Sequence, residues 1–231
     1  MRELGVFDII GPVMIGPSSS HTAGALKIAY VAGRLADNEI SRVDFTLYNS
    51  FARTYRGHGT DRALLGGILG FAMDDERIRD SFEIAEQRGI GYSFTPDESE
   101  NGYHPNTVGI TVTQKNGAKY TVMGESVGGG EMEIVSIDGA QLSYAGKYNA
   151  VFVKQSDVPG IISGITDVFA RHNINIAFMS VYREGRGEKA YSIVEIDGKP
   201  TDGLMTELQN VHGIISVRFI GLYDGGANGQ V

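Results

Sequence analysis

Residues 149–183 read NAVFVKQSDVPGIISGITDVFARHNINIAFMSVYR, and this stretch decides the second half of the chain. A short apolar strand, 150–153, runs into Asp157-Val158-Pro159-Gly160, an acidic residue followed by a proline at the mouth of an amphipathic helical stretch, 159–172. Both residue types suit a helix N-terminus, the carboxylate as a cap and the proline because its missing N–H would be unpaired there anyway. Residues 174–183 then alternate as a strand, and the pattern returns with a strand at 190–196, a helix at 202–211 opened by Thr201-Asp202, and a strand at 215–221. Strand, helix, strand, taken twice, gives βαββαβ, the ferredoxin-like order of elements.

Upstream of this unit, 138–148 is polar and carries Gly139 and Gly146, which suits a linker. Downstream, 224–231 is a glycine-rich tail expected to fray. The first domain is thereby placed at 1–140 and the second at 148–223. Within the first, 21–36 has helical spacing with Leu26, Ala29, Tyr30 and Gly33 near one side, and the serines before it are good caps. Residues 42–49 alternate as a strand with Val43, Phe45 and Leu47 on one side. An apolar helix at 63–71, capped by Thr60 or Asp61, and a charged helix at 75–88 follow. Strands are expected at 90–95, 108–113, 119–124 and 132–137, with Lys115-Asn116-Gly117 turning a hairpin between the middle two. The fold class is α+β: a mixed α/β domain followed by the βαββαβ domain.

Dividing 231 residues by roughly 150 per domain suggests one or two domains, and two are expected. With 42% hydrophobic and 21% charged residues, the chain can bury a core, which excludes wholesale disorder. The net charge of −8 has the wrong sign for binding nucleic acid or an anionic membrane. Residues 1–8 carry Arg2, Glu3 and Asp8 with no long apolar run behind them, and no later stretch approaches the ~18 residues needed to span a bilayer, so the expected location is cytoplasmic. There is no cysteine, which excludes disulfides, a thiolate nucleophile, a Cys-ligated zinc and any iron–sulfur cluster held by this chain alone. No metal ligands are assigned.

Two motifs could carry chemistry. In Gly16-Pro17-Ser18-Ser19-Ser20-His21-Thr22, hydroxyls and an imidazole stand at a helix N-terminus, where unpaired N–H groups attract a carboxylate; the plain alternative is a serine cap beside a solvated histidine. In Arg56-Gly57-His58-Gly59-Thr60-Asp61, flanking glycines remove bulk around an imidazole that could act as a base near neutral pH, the alternative being an ordinary turn. His104-Pro105-Asn106 and Ser126-Val127-Gly128-Gly129-Gly130 read as loops that could also face a ligand, and His172 and His212 as structural residues near helix ends. No P-loop, His-Glu-x-x-His or Rossmann glycine pattern stands between a strand and a helix, which leaves nucleotide and zinc-peptidase readings without support. A Ser–His hydrolase stays formally open because serines precede His21, but adjacent loop residues rarely make the nucleophile-to-base bond and no Gly-x-Ser-x-Gly elbow is present.

Together, the two histidine motifs and the closing βαββαβ unit resemble the beta subunit of the two-chain, iron–sulfur-dependent L-serine dehydratases (L-serine deaminases), over essentially the whole length. The resemblance implies an allosteric-substrate-binding-type domain followed by an ACT domain, the small amino-acid-sensing module. It implies a lyase in which a 4Fe-4S cluster, held by a cysteine-bearing alpha subunit, acts as a Lewis acid on the serine hydroxyl while a base takes the α-proton, giving pyruvate and ammonia. The absence of cysteine fits a cluster supplied by that partner. Position by position it makes His58 the candidate base, with His21 the other candidate, and places Ser18, Ser19, Ser20, Thr22, Gly59, Thr60 and Asp61 around the small amino-acid substrate. For the ACT domain it implies an effector site between the loop Asp157, Val158, Pro159, Gly160 and a neighbouring subunit, with Asn175 able to line it, or instead a dimerisation surface, and association of copies through that domain. A monovalent-cation requirement is left open. The rival reading is a non-catalytic amino-acid-binding regulatory module, a serine sensor, since similar paired domains occur as appendages of phosphoglycerate dehydrogenases.

Overall fold

The computed structural model describes residues 14–36, 40–99 and 102–221; the opening 1–8 and the tail 224–231 discussed above lie outside them. The chain forms two compact units that part between Gly139 and Ala140.

In the first unit, strands β1 (Ile40–Tyr48), β2 (Gly91–Asp97), β3 (Thr107–Gln114), β4 (Lys119–Gly128) and β5 (Glu131–Ile137) lie in the order β2-β1-β3-β4-β5. The alternation along β1 buries Val43, Phe45 and Leu47, as its period requires. β1 and β2 run parallel, which needs a crossover, whereas β3 lies antiparallel to β1 with Phe45 opposite Ile110. The crossover is built from α2 (Asn49–Thr54), α3 (Thr60–Ile68), a 3₁₀ turn (Glu76–Asp80) and α4 (Ser81–Gln87). Ahead of β1, α1 (Ala25–Leu35) packs against α3 through glycine: a Cβ on Gly67 would sit 2.2 Å from the Leu26 carbonyl oxygen, and one on Gly33 would sit 3.2 Å from that of Ile68. The two helix backbones therefore meet with no side chain between them.

Several local expectations are corrected. The stretch expected as one helix from 21 begins as a wide π-helical turn, Ser19–Gly24, with Ser18 as cap. The Thr22 hydroxyl donates back to the Ser18 carbonyl, and Gly24 lies against Ser126. Neither Thr60 nor Asp61 caps α3. Gly59, at φ +68°, takes that place because a left-handed residue turns the chain into the helix without a side chain, and Thr60 is drawn into the core. The charged helix at 75–88 is broken into the 3₁₀ turn and α4, with Asp75 accepting from the Arg77 N–H at the entrance. The stretch read as a linker contains a strand, β6 (Ala140–Tyr144), after a tight turn in which Asp138 and Gly139 both have positive φ.

In the second unit, β7 (Asn149–Ser156), β8 (Ile176–Arg183), β9 (Lys189–Ile196) and β10 (Ile214–Ile220) form an antiparallel sheet in the order β10-β7-β9-β8. With α5 (Ile161–Arg171) and α6 (Leu204–Gln209) this is the expected βαββαβ unit. Its core joins Val151, Val153 and Val194 from the sheet to Ile165, Phe169 and Leu208 from the helices. Here too, side-chain caps give way to glycine: Gly160 and Gly203, at φ +87° and +84°, precede the helices, so Asp157 and Thr201-Asp202 cap neither. Among the described residues no helix is long and apolar enough to cross a membrane.

Candidate functional site

The two histidine motifs, 37 positions apart in the chain, meet in the first unit. The His21 and His58 rings lie 4.7 Å apart, centre to centre, at a tilt of 32°. His21 rides on the π-helical turn ahead of α1, and His58 stands in the turn just before α3, so the glycine contact between α1 and α3 is what brings the rings to this spacing.

The two imidazoles are held differently. His58 Nδ1 lies 3.3 Å from the Thr54 carbonyl oxygen. A carbonyl can only accept, so Nδ1 carries the proton, and in the neutral ring Nε2 keeps its lone pair. Among the described residues no hydrogen-bond partner faces that Nε2. His21 is engaged on both nitrogens: Nδ1 hydrogen-bonds with the hydroxyls of Ser20 (3.2 Å) and Ser18 (3.3 Å), and Nε2 with that of Ser50 (3.1 Å). The Phe51 ring meets His21 edge-on at 5.4 Å. Burial, and after it the charge of neighbouring His58, push His21 below the ordinary imidazole value of 6.5.

Of the residues singled out in the sequence, Ser18, Ser20, His21 and His58 therefore come together. Ser19, half-buried, opens the π-helical turn beside them. Thr22 does not face the cluster openly: it is buried under Gly16, where a Cβ would come within 2.5 Å of its methyl, and its hydroxyl is spent on the Ser18 carbonyl. Gly59 serves the backbone. Thr60 is wholly buried, and its hydroxyl has no hydrogen-bond partner. Asp61 turns to a separate open cavity of about 480 Å³ lined by Tyr55, Arg56, Phe82, Tyr92, Ser93 and Phe94, where burial raises its carboxyl above the usual range. The His104-Pro105-Asn106 loop closes the far side of α2: the Ser50 N–H donates to the Pro105 carbonyl at 2.8 Å, and the Asn49 amide donates to the Tyr103 carbonyl at 3.0 Å.

Sequence reasoning missed Ser50, because the strand reading ran through Asn49 and hid α2. The available signal was Asn49 itself, at φ +51°, a residue type that tolerates the left-handed conformation and so turns the chain out of a strand.

Comparison with known proteins agrees with this layout. The serine dehydratase beta chain family matches residues 5–90, and the ACT domain family matches 150–213. The L-serine dehydratase beta chain of Peptoniphilus asaccharolyticus is 40% identical over 95% of this chain and 99% of its own length. The chain belongs to the L-serine dehydratase beta chain family. A Bacillus subtilis protein described as a probable L-serine dehydratase beta chain is 43% identical over 94% of this chain and 98% of its own. D-3-phosphoglycerate dehydrogenase of the same organism is 30% identical over 70% of this chain, a match that spans 30% of that enzyme. The βαββαβ unit is accordingly an ACT domain.

In that ACT domain the suggested effector residues do not form one site within a single chain. The Asp157 carboxylate accepts from the Gly187 N–H (2.9 Å) and pairs with Arg183 (3.0 Å), and these contacts, the backbone one first, hold it below the usual carboxylate range. Val158 is exposed and Gly160 faces open space. Asn175 donates to Asp197 at 2.7 Å, beside the end of β9 at Ile196, while Asp157 follows Ser156, which pairs with the start of β9 at Lys189. The full length of β9 separates them, roughly 23 Å at ~3.3 Å per residue. His172 bridges the Thr201 hydroxyl (2.6 Å) and the Glu207 carboxylate (2.7 Å), tying α5 to α6 in the structural part expected of it.

The cluster implied by the resemblance finds no ligand set here. The chain has no cysteine, and among the described residues no group of three or more His, Asp or Glu could hold a metal ion.

Proposed function

We propose that this chain is the beta subunit of a lyase that deaminates L-serine to pyruvate and ammonia, together with a cysteine-bearing alpha subunit that holds a 4Fe-4S cluster. The observation that carries the reading is the His21–His58 pair, one imidazole anchored with an open lone pair and the other held on both sides. His58 is the base. With Nδ1–H donated to Thr54, its Nε2 accepts the α-proton of serine as the Cβ–O bond breaks and the hydroxyl departs as hydroxide on the partner's side. The proton held on His58 then returns to that hydroxide to release water and free the base. The aminoacrylate so formed tautomerises to an imine, which water hydrolyses to pyruvate and ammonia.

Burial holds His21 below the ordinary imidazole value and both of its ring nitrogens are already hydrogen-bonded, which leaves the open Nε2 of His58 to meet the α-proton. The hydroxyls of Ser18 and Ser20 and the N–H groups of the π-helical turn offer donors to the substrate carboxylate. The partner brings the cluster, since this chain has no cysteine to hold it.

Anaerobic capture of the chain from its own cell extract, with pyruvate formation from L-serine assayed before and after exposure to air, tests the reading. Air-sensitive turnover with a cysteine-containing companion is expected, and His58→Asn is expected to abolish turnover by at least about 100-fold while the companion is still captured. The partial likeness to a phosphoglycerate dehydrogenase favours one rival, a serine-binding regulatory module. Serine binding without companion or turnover would select it.

A further inference from the structure

We infer that Ser50 is a positioning residue for this reaction, acting through His21 as part of a rack on α2 that sets both imidazoles at once; the role in turnover rests on the dehydratase reading above. α2 is six residues long, and its first and last turns each hold one ring. At its start the Ser50 hydroxyl meets His21 Nε2 at 3.1 Å, and at its end the Thr54 carbonyl accepts His58 Nδ1–H at 3.3 Å. Ser50 and Thr54 stand four apart and so share one face of the helix. The Thr54 hydroxyl donates to the Ser50 carbonyl at 2.8 Å, joining the two anchor points directly.

The rack is itself braced from outside. The Ser50 N–H is fixed on Pro105, and the Asn49 amide on the carbonyls of Tyr103 and His104, so the His104-Pro105-Asn106 loop holds α2 at the point where it touches His21. His104 Nδ1 in turn accepts from the Asn106 N–H at 3.2 Å, which keeps that loop folded.

The chemical consequence follows from the two nitrogens of His21. A hydroxyl can donate or accept, so the bond to Ser50 does not choose which nitrogen carries the proton, but it fixes how the ring is turned. Two serine hydroxyls crowd Nδ1, and Ser50 alone serves Nε2 among the described residues. Without the Ser50 hydroxyl, His21 has no tie on the side away from its own turn. The ring is then able to rotate against His58, whose centre is only 4.7 Å away.

The test uses the full chain with ¹⁵N-labelled histidine, of which there are five, and Ser50→Ala and Ser50→Thr variants. In the parent, His21 is expected to show the ring-nitrogen shifts of an imidazole hydrogen-bonded at both nitrogens. In Ser50→Ala the Nε2 shift is expected to move, with the second unit's His172 and His212 unchanged, and Ser50→Thr, which keeps the hydroxyl, restores the parent pattern. Combined with the captured partner, Ser50→Ala is expected to lower kcat/KM by about 10- to 100-fold, as loss of a bond that orients a functional histidine does, and to shift the pH profile while Ser50→Thr recovers it. Unchanged His21 shifts in a folded Ser50→Ala chain overturn the inference, and so does a Ser50→Thr chain that folds yet behaves like the alanine variant. If the parent and its partner turn over no serine, the dehydratase reading fails, whereas the nitrogen shifts still decide whether Ser50 holds His21.

Discussion

Adjacent glycines in α3 give opposite expectations from one added methyl group. At Gly67 a Cβ would lie 2.2 Å from the Leu26 carbonyl oxygen, 2.8 Å from the Ala29 methyl and 2.9 Å from the Tyr30 nitrogen. A carbon needs ~3.3 Å from such an oxygen, so α1 and α3 would have to part by ~1 Å. Because the obstruction is backbone, no side chain can swing aside, and the upper end of the ~1–3 kcal/mol overpacking range applies. Alanine's better helix propensity offsets about 1 kcal/mol, leaving Gly67→Ala less stable by about 2 kcal/mol. At Gly66 the nearest atom is the Ile78 Cγ1 at 3.3 Å, a side-chain contact that needs to give by only a few tenths of an ångström, so Gly66→Ala is expected to be near neutral. Urea unfolding of the three chains reads the difference directly. The same separation reaches the site, because α1 continues from the turn bearing His21 and α3 follows His58. A displacement of ~1 Å between cooperating groups can cost about 100-fold in rate, so Gly67→Ala is also expected to lose most of its turnover while Gly66→Ala keeps it. Equal unfolding midpoints for the two variants would refute the claim that a backbone contact sets the ring spacing.

His21 makes folding pH-dependent in a stated direction. Its imidazole is held below 6.5 in the folded chain by burial and by His58, whereas the unfolded chain takes up the proton at about 6.5. The unfolded state thus binds more protons, and stability falls as pH drops through that value toward the folded-state pKa. Urea midpoints on either side of pH 6.5 should show this loss, and His21→Gln should flatten it; an unchanged slope in that variant would assign the effect elsewhere. In the ACT domain, Gly160→Ala places a side chain at φ +87° with nothing within 4 Å, so the cost is conformational alone, about 1–2 kcal/mol. A thermal midpoint unaffected by that substitution would mean the left-handed cap is not needed.

Much of the architecture was legible in the residues because it depends on local chemistry. The apolar alternation of Val43, Phe45 and Leu47 and the paired strand–helix–strand halves after Asn149 each follow from a period of two or of 3.6, read within one element. Both histidine motifs could likewise be found as short words. Helix starts were misjudged where glycine took the cap, at Gly59, Gly160 and Gly203, since a left-handed φ is invisible beside an attractive Asp or Thr. Grouping residues by nearness in the motif also erred: Thr60 points into the core and Asp61 into another cavity, because successive helical positions are turned about 100° apart.

By itself, then, the sequence determined the two-domain α+β plan, the lack of any thiolate to bind a cluster, and the two imidazoles that chemistry would draw on. Only the tertiary structure decided that those imidazoles face each other, that Ser50 and Thr54 hold them from one short helix, and that Asn175 stands a strand's length from Asp157. The physical reason is that periodicity and turn chemistry act over a few residues, whereas the meeting of His21 and His58 depends on two helices closing over Gly33 and Gly67, a contact that no single stretch of chain encodes.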